Sequence, residues 1–366
     1  MNIEAVFFCN YSIGTDTWKE VPFVCGLYGK RILLIGGKKA LRAGKERLVQ
    51  AIAGTGMELV DTVVFGEDCT YENIHRWAAY AKEKQVDMIF GMGGGKALDT
   101  AKGAGYEAGL PVFTFPTIAS NCAACTSVSI MYKDDGTFLK PHFFIRPAMH
   151  AFIDTELISK APAQYMWAGI GDTYAKYYEA TISSRGEQLE HFASLGVALS
   201  LMCRNPLLEY GPKAYEDHKK KLSTYDVEQV VLAIVVTTGI TSIFLTKDFT
   251  PDYNSGLAHA IFYALTSYPV IEKNHLHGEV VGFGVLLALL VDGEETEFEK
   301  IYELNKKIHL PVSLEEIEIT EEQWEESMNR IPEMSDVAHY PYKVTKEMLS
   351  EAMSKLKERV QEDGEK

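Results

Sequence analysis

Up to about Thr155 the apolar positions keep two rhythms in alternation. Short β-rich runs, RILLIGG, LVDTVVFG, DMIFGMGGG and PVFTFPT, are separated by helical patterns, LRAGKERLVQAIAGTG, ENIHRWAAYAKEKQ and LDTAKGAGYEAG. Strand and helix repeated over short joints predict a parallel sheet covered on both faces, because each parallel connection needs a crossover that packs back on the sheet. SVSIMYKDDGTFLK reads as a hairpin, with Asp135 and Gly136 suited to its tight turn. Beyond Ser159 the apolar spacing is helical almost to the C-terminus. The expected organisation is an α/β domain over residues 1–158 and an all-helical domain over 159–366, with no internal repeat and no low-complexity linker.

Composition narrows the function classes. A chain of 366 residues suggests two domains, each with its own core, and 46% hydrophobic with 24% charged residues describes an ordinary globular protein. The net charge of -15 argues against nucleic acid or an anionic membrane as the main partner, since both need a basic footprint. EETEFE and EEIEITEEQWEE read as solvated helix faces. MNIEAVFFCNYSIG lacks the basic start and long apolar run of a secretory leader, and VVGFGVLLALLV, about a dozen residues, is short for a bilayer span. A cytoplasmic protein is expected. The six cysteines are scattered and do not resemble a secreted disulfide framework. Cys122 and Cys125 form a CxxC, which alone is weak evidence of redox or metal chemistry.

Two stretches carry candidate chemistry. In GMGGGKALDTAK, Gly93, Gly94 and Gly95 fall where a strand turns into a helix. Glycines there let backbone N–H groups approach a phosphate, and the helix dipole favours its charge. The spacing fits neither GxGxxG nor the Walker pattern, so a tight packing turn is the alternative. In NHLHGEVVGFGV, His275, His277 and Glu279 open a glycine-punctuated apolar run, where a lone histidine is more often structural than a ligand.

GGGKALDTAK, PTIAS, GIGDTYAKYYEA and the pair GLAHA and HLHGE occur in this order. On these motifs, over nearly its whole length, the chain resembles the iron-containing alcohol dehydrogenase superfamily, in particular its glycerol dehydrogenase and hydroxycarboxylate dehydrogenase branch. The resemblance implies a dinucleotide-binding α/β domain with a parallel sheet, an architecture shared with dehydroquinate synthase, and an all-α C-terminal domain. It sets the active site in the cleft between them. It also implies a divalent metal held by Asp172, His259 and His277, leaving His275 a bystander. Tyr268-Pro269 interrupts the helical pattern between the two ligand histidines, so they must come from separate helices. Three N and O ligands leave a fourth tetrahedral position open, the layout of a catalytic zinc. Iron-dependent members add a histidine four positions after the aspartate, where this chain has Lys176; Zn2+ is preferred, with Fe2+, Ni2+ or Co2+ as alternatives.

By the same resemblance Gly94, Gly95, Lys96, Asp99 and Lys102 would surround the cofactor's pyrophosphate, with Gly93 in the same turn. Thr117, Ser120, Thr126, Val128 and Tyr132 would line the rest of the dinucleotide track. The implied chemistry is hydride transfer between a nicotinamide and a small alcohol or carbonyl. Three departures bear on the substrate. Cys122 replaces the aspartate with which glycerol dehydrogenases contact the polyol, Phe262 stands where many members have a second histidine, and Lys273 replaces another. SNCAAC with GIGDTYAKYYEA looks closer to the hydroxycarboxylate branch, which points to a 2-oxo or 2-hydroxy acid and leaves glycerol as the alternative; a lysine such as Lys273 would suit a substrate carboxylate. NAD-dependent relatives carry an aspartate at the position of Gly37, followed here by Lys38 and Lys39, so NADP is the expected cofactor, with NAD as the alternative. A dehydroquinate synthase-like lyase would normally bring glutamate in place of Asp172, and a non-catalytic dinucleotide-binding protein would tolerate loss of a ligand. The family's habit predicts a homo-oligomer.

Overall fold

The computed structural model describes residues 6–246 and 253–364. The expected domain ends at 1 and 366, and the first residues of the segment read as carrying no leader, lie outside them. Two compact units are present, one of residues 1–162 and 217–243, the other of 163–216 and 244–366.

The first unit is built on eight strands: β1 (Asn10–Ile13), β2 (Arg31–Gly36), β3 (Glu58–Val64), β4 (Met88–Gly93), β5 (Val112–Pro116), β6 (Val128–Tyr132), β7 (Phe138–Phe143) and β8 (His150–Ile153). Six form a parallel sheet in the order β1-β8-β5-β4-β2-β3, and β6 pairs antiparallel with β7. The four runs read as strands and the hairpin are all present, the latter turning through Gly136 at φ +82. Two further strands, β1 and β8, of only four residues each, are not among the runs predicted from the sequence. Every residue of β4 is buried, as expected of a strand covered by helices on both faces. The helix Lys38–Ile52 buries Ala40, Gly44, Leu48 and Ile52, a four-residue spacing that lays one stripe on the sheet. Below it Trp18, Phe115 and Phe152 stack with centroids 5.3 and 5.0 Å apart.

The chain moves from β2 to β3 at one edge and then crosses back, so β4 lies on the other side of β2. The direction of winding therefore reverses between β2 and β4. Ligands of open α/β sheets bind beyond the strand C-termini at such a reversal, and Gly37 and the Gly93–Gly95 turn sit there. The segment that returns to this unit contains the helix Tyr225–Val231 and a π-helical stretch, Leu232–Thr237. The run Tyr225–Phe244 is long and apolar enough for a membrane span by length and composition alone, a feature the shorter VVGFGVLLALLV had not signalled. Of its most apolar window, 61% is buried inside the fold, which is how a core helix passes the same test.

The second unit is helical. Its centre is the helix His277–Asp292, buried all round from Gly278 to Leu290, as an apolar helix without a polar face must be. Glycines set how closely its neighbours approach. A Cβ on Gly278 would stand 2.0 Å from the Ala168 carbonyl oxygen, and one on Gly171 would stand 2.1 Å from that of Gly278. A Cβ on Gly284 would meet the Ala258 oxygen at 2.7 Å. The helices Ala163–Ser183 and Leu257–Leu265 thus touch the central helix backbone to backbone. Overpacking of a backbone contact has no flexible side chain to relieve it, so Gly278→Ala is expected to cost ~3 kcal/mol or more in denaturant unfolding. Gly364→Ala, which meets nothing within 4 Å, should change stability by less than ~0.5 kcal/mol.

Candidate metal centre and dinucleotide cradle

Asp172 lies midway along Ala163–Ser183, His259 is in the first turn of Leu257–Leu265, and His277 opens the central helix. Tyr268 and Pro269 begin a separate short helix, Pro269–Asn274, between the two histidines. The backbone contacts at Gly171 and Gly278 put Asp172 beside His277, and the contact at Gly284 does the same for the His259 helix. Asp172 Oδ1 is 3.3 Å from His277 Nε2 and 3.6 Å from His259 Nε2. One ligand atom from each residue lies within 4.8 Å of the others. Tetrahedral zinc with bonds near 2.0–2.1 Å separates its ligand atoms by ~3.4 Å, so this donor set fits a divalent cation with little adjustment. The His277 side chain is 43% exposed against 10% for His259, which leaves one side of the centre open.

Burial alone would raise the Asp172 carboxyl, but hydrogen bonds and charge from His259 and His277 outweigh it and hold it well below the usual carboxylate range. Burial pushes His259 down, while Glu179 and Asp172 push it up further, to about 10. The same two carboxylates that raise His259 would favour a cation at this point, and metal binding would compete with a proton for it. Glu179 is almost wholly buried; its Oε2 accepts from His259 Nδ1 at 2.7 Å and its Oε1 from the His259 backbone N–H at 2.9 Å. With Nδ1–H engaged, Nε2 is the nitrogen left for a metal. Glu179 is not among the residues predicted from the sequence, although it is the last but one of GIGDTYAKYYEA, seven positions after Asp172 and two helical turns along the same face.

The neighbouring positions fall as follows. His275 is not part of the Asp172, His259 and His277 group and shares its Nδ1 with Glu279 at 2.8 Å; the other Glu279 oxygen accepts from the Leu276 N–H at 3.0 Å, fixing the start of the His277 helix. Phe262 stands edge-on to the His277 ring, centroids 4.4 Å apart. Lys176 is buried and gives its ammonium to the backbone and side-chain oxygens of Asn254. Lys273 is exposed in the last turn of Pro269–Asn274.

In the first unit the cofactor positions also converge. Gly37 donates to the Met92 oxygen at 3.2 Å, and Thr117 donates to the Gly93 oxygen at 3.0 Å. Gly93 has φ +153, and a Cβ there would stand 2.8 Å from that of Ala97; Gly94 is the N-cap of the helix Gly95–Ala108. Lys38 and Lys39 are exposed at the start of their helix, and Ser120, Val128 and Tyr132 are half-buried. Asp99 and Lys102, expected beside the pyrophosphate, are taken up with each other and with β6. Both are buried, 2.9 Å apart, with Lys102 bonded to the oxygens of Thr126 at 3.3 Å and of Val128 at 2.5 Å, and Asp99 accepting from the Ile130 N–H at 3.0 Å. They fasten the helix to β6. Burial raises the Asp99 carboxyl against the pull of Lys102.

Cys122 is half-buried and opens the turn closed by the Cys125 N–H on its carbonyl at 2.9 Å. Among the described residues the three-ligand group contains neither cysteine, and both thiols are free of disulfides. Contact with Cys9, with burial, raises the Cys125 thiol well above the ordinary range.

A family model described as iron-containing alcohol dehydrogenase matches residues 10–152. A glycerol dehydrogenase of Thermotoga maritima is 35% identical over 268 residues, 70% of either chain. Hydroxycarboxylate dehydrogenase A of Escherichia coli is 33% identical over 290 residues, 79% of this chain and 78% of that one. The crystal structure of glycerol dehydrogenase from Schizosaccharomyces pombe, 23% identical, superposes with a TM-score of 0.84, covering 99% of this chain and 92% of that one, a likeness that speaks to the fold alone. Identity of this order over more than two thirds of the relatives' length, with the parallel-sheet unit and the helical remainder in place, decides the family: the chain belongs to the iron-containing alcohol dehydrogenases and is a metal-dependent oxidoreductase of the alcohol dehydrogenase type.

Proposed function

We propose that this protein transfers hydride between NADP(H), in preference to NAD(H), and a small 2-oxo or 2-hydroxy acid, with Zn2+ held by Asp172, His259 and His277. The observation that carries the reading is the O,N,N donor set with one exposed histidine. A divalent cation bound there supplies Lewis acidity, polarising a carbonyl or easing loss of an alcohol's proton. The chain's residues do the rest. Glu179 holds His259 in one tautomer, and Phe262 walls one side of His277 with carbon in place of water. Lys176, bonded to Asn254, brings no fourth nitrogen, which favours zinc with an open position over Fe2+, Ni2+ or Co2+.

For the cofactor, the glycine turn at the strand reversal suits a pyrophosphate. At Gly37 an added Cβ would meet nothing nearer than Phe65 at 3.8 Å and Ala40 at 3.9 Å. That space, with exposed Lys38 and Lys39 beside it, suits a ribose 2′-phosphate. Cys122, in place of a polyol-binding aspartate, and the likeness to a protein named hydroxycarboxylate dehydrogenase support an acid substrate. Glycerol is the second reading, supported by the likeness to a protein named glycerol dehydrogenase. We further propose a cytoplasmic homo-oligomer without nucleic-acid or membrane partners; Phe23 and Leu27, 77% and 83% exposed on one short helix and its exit, are apolar surface that a second copy would cover.

Three measurements test this reading. His277→Ala should lower kcat/KM by on the order of 10³-fold and shed zinc on dialysis, while Glu179→Gln should keep the fold and weaken metal affinity about 10–100-fold; full activity in a rigorously metal-free preparation would overturn the metal's role. Cys122→Asp should raise kcat/KM for glycerol relative to 2-oxo acids, and an unchanged substrate ranking would assign Cys122 to packing alone. Wild type should favour NADPH in kcat/KM, and Gly37→Asp should move the NADPH/NADH ratio about tenfold towards NADH, ~1.4 kcal/mol. A wild-type preference for NADH would refute the cofactor assignment.

A further inference from the structure

Lys96 is the first residue after the glycine turn with a side chain long enough to reach an anion held there. Its ammonium is already engaged, by Oδ1 of Asp68, and it lies 4.4 Å over the ring of Tyr132. Asp68 is placed by contacts that do not involve Lys96. Its carbonyl accepts from the Asn73 side chain at 2.9 Å and from the Thr70 N–H at 3.1 Å. The hairpin tip closes over it, such that a Cβ on Gly136 would stand 3.3 Å from Asp68 Oδ2. The loop backbone and the hairpin tip thus place the carboxylate, 20% exposed, beside a lysine that is 46% exposed.

We propose that Asp68 is a competing counter-ion for the cofactor's pyrophosphate. It holds Lys96 while the turn is empty, gives it up when phosphate arrives, and retakes it as the cofactor leaves. The proposal rests on the reading of Gly93–Gly95 as a pyrophosphate cradle. A partly solvated lysine–carboxylate pair is weak, and a pyrophosphate offers Lys96 more charge and more acceptor oxygens. The exchange therefore favours binding while lowering its net gain. Tyr132 keeps the ammonium near the turn through the exchange by holding it against the ring face. In kinetic terms Asp68 shortens the life of the complex, because a fixed carboxylate waits beside the lysine that the phosphate must hold.

The test is cofactor binding to the whole protein, followed by NADPH and NADH fluorescence titration and by stopped-flow dissociation, in wild type, Asp68→Asn, Lys96→Met and the double variant. Asp68→Asn should bind both cofactors about two- to fivefold tighter and release them more slowly by a similar factor. Lys96→Met should bind about tenfold or more weaker. In the Lys96→Met background the gain from Asp68→Asn should shrink below about 1.5-fold, since the two act as one unit. Asp68→Glu, which keeps the charge, should lie nearer wild type than Asp68→Asn. No tightening in Asp68→Asn overturns the proposal, and so does a gain undiminished without Lys96, which would make Asp68 an independent charge. If Lys96→Met binds as wild type does, the cradle reading itself fails and the counter-ion falls with it.

Discussion

The metal centre depends on a contact that contains no side chain. Where the helices Ala163–Ser183 and His277–Asp292 cross, Gly171 and Gly278 leave room only for backbone. Helices carrying ordinary side chains pack 8–10 Å apart, and Gly171 and Gly278 remove the side chains that would set that spacing here. The glycines of HGEVVGFGV are therefore not decoration on an apolar run. They let a core helix come close enough for its first residue to stand beside Asp172, and the same helix, through Gly284, fixes the one that bears His259.

Close approach brings an electrostatic cost, and the way it is met defines the chemistry. Asp172 and Glu179 project from one helix face towards one imidazole, two carboxylates with a single histidine between them. Such a cluster is tolerable only with positive charge inside it. The two carboxylates raise the basicity of His259 against its burial, and a divalent cation at the Nε2 that Glu179 leaves open would supply that positive charge. The pairing is asymmetric by construction. Glu179 is buried and committed to Nδ1 and the backbone, while His277 faces out, so a ligand exchanged at the centre enters on the His277 side.

Much of this was legible in the chain because period and glycine placement are strong signals. β2, β3, β4 and β5, the helices between them and the hairpin turn at Gly136 follow from alternation and turn chemistry. β1 and β8 were not, since four residues leave too little alternation to separate a strand from a loop. Nor could periodicity tell which core Tyr225–Phe244 serves, because an apolar stripe names no partner. At the centre, motif order gave Asp172, His259 and His277, but Glu179 needed the three-dimensional fact that His259 turns its Nδ1 inward. Asp99 and Lys102 show the opposite limit. The family resemblance sets both beside the pyrophosphate, yet three and six residues beyond Lys96 they are buried, paired with each other and hydrogen-bonded to the backbone of β6.

Burial sorts the charge at the glycine turn into two layers. The lower pair, Asp99 and Lys102, is buried and hydrogen-bonded to β6, so removing either member would strand the other in the core. Its function is rigidity, holding the helix Gly95–Ala108 so that its first N–H groups keep a fixed direction. The upper pair, Asp68 and Lys96, is half in solvent and can be exchanged. A fixed dipole beneath a replaceable ion pair is a sensible division for a cradle that must bind an anion and release it, since affinity set by the rigid layer is moderated by the labile one. One sequence segment supplies Lys96 and the whole of the lower pair, while Asp68 comes from the loop that follows β3, so the exchangeable carboxylate and the structural one stand on different elements.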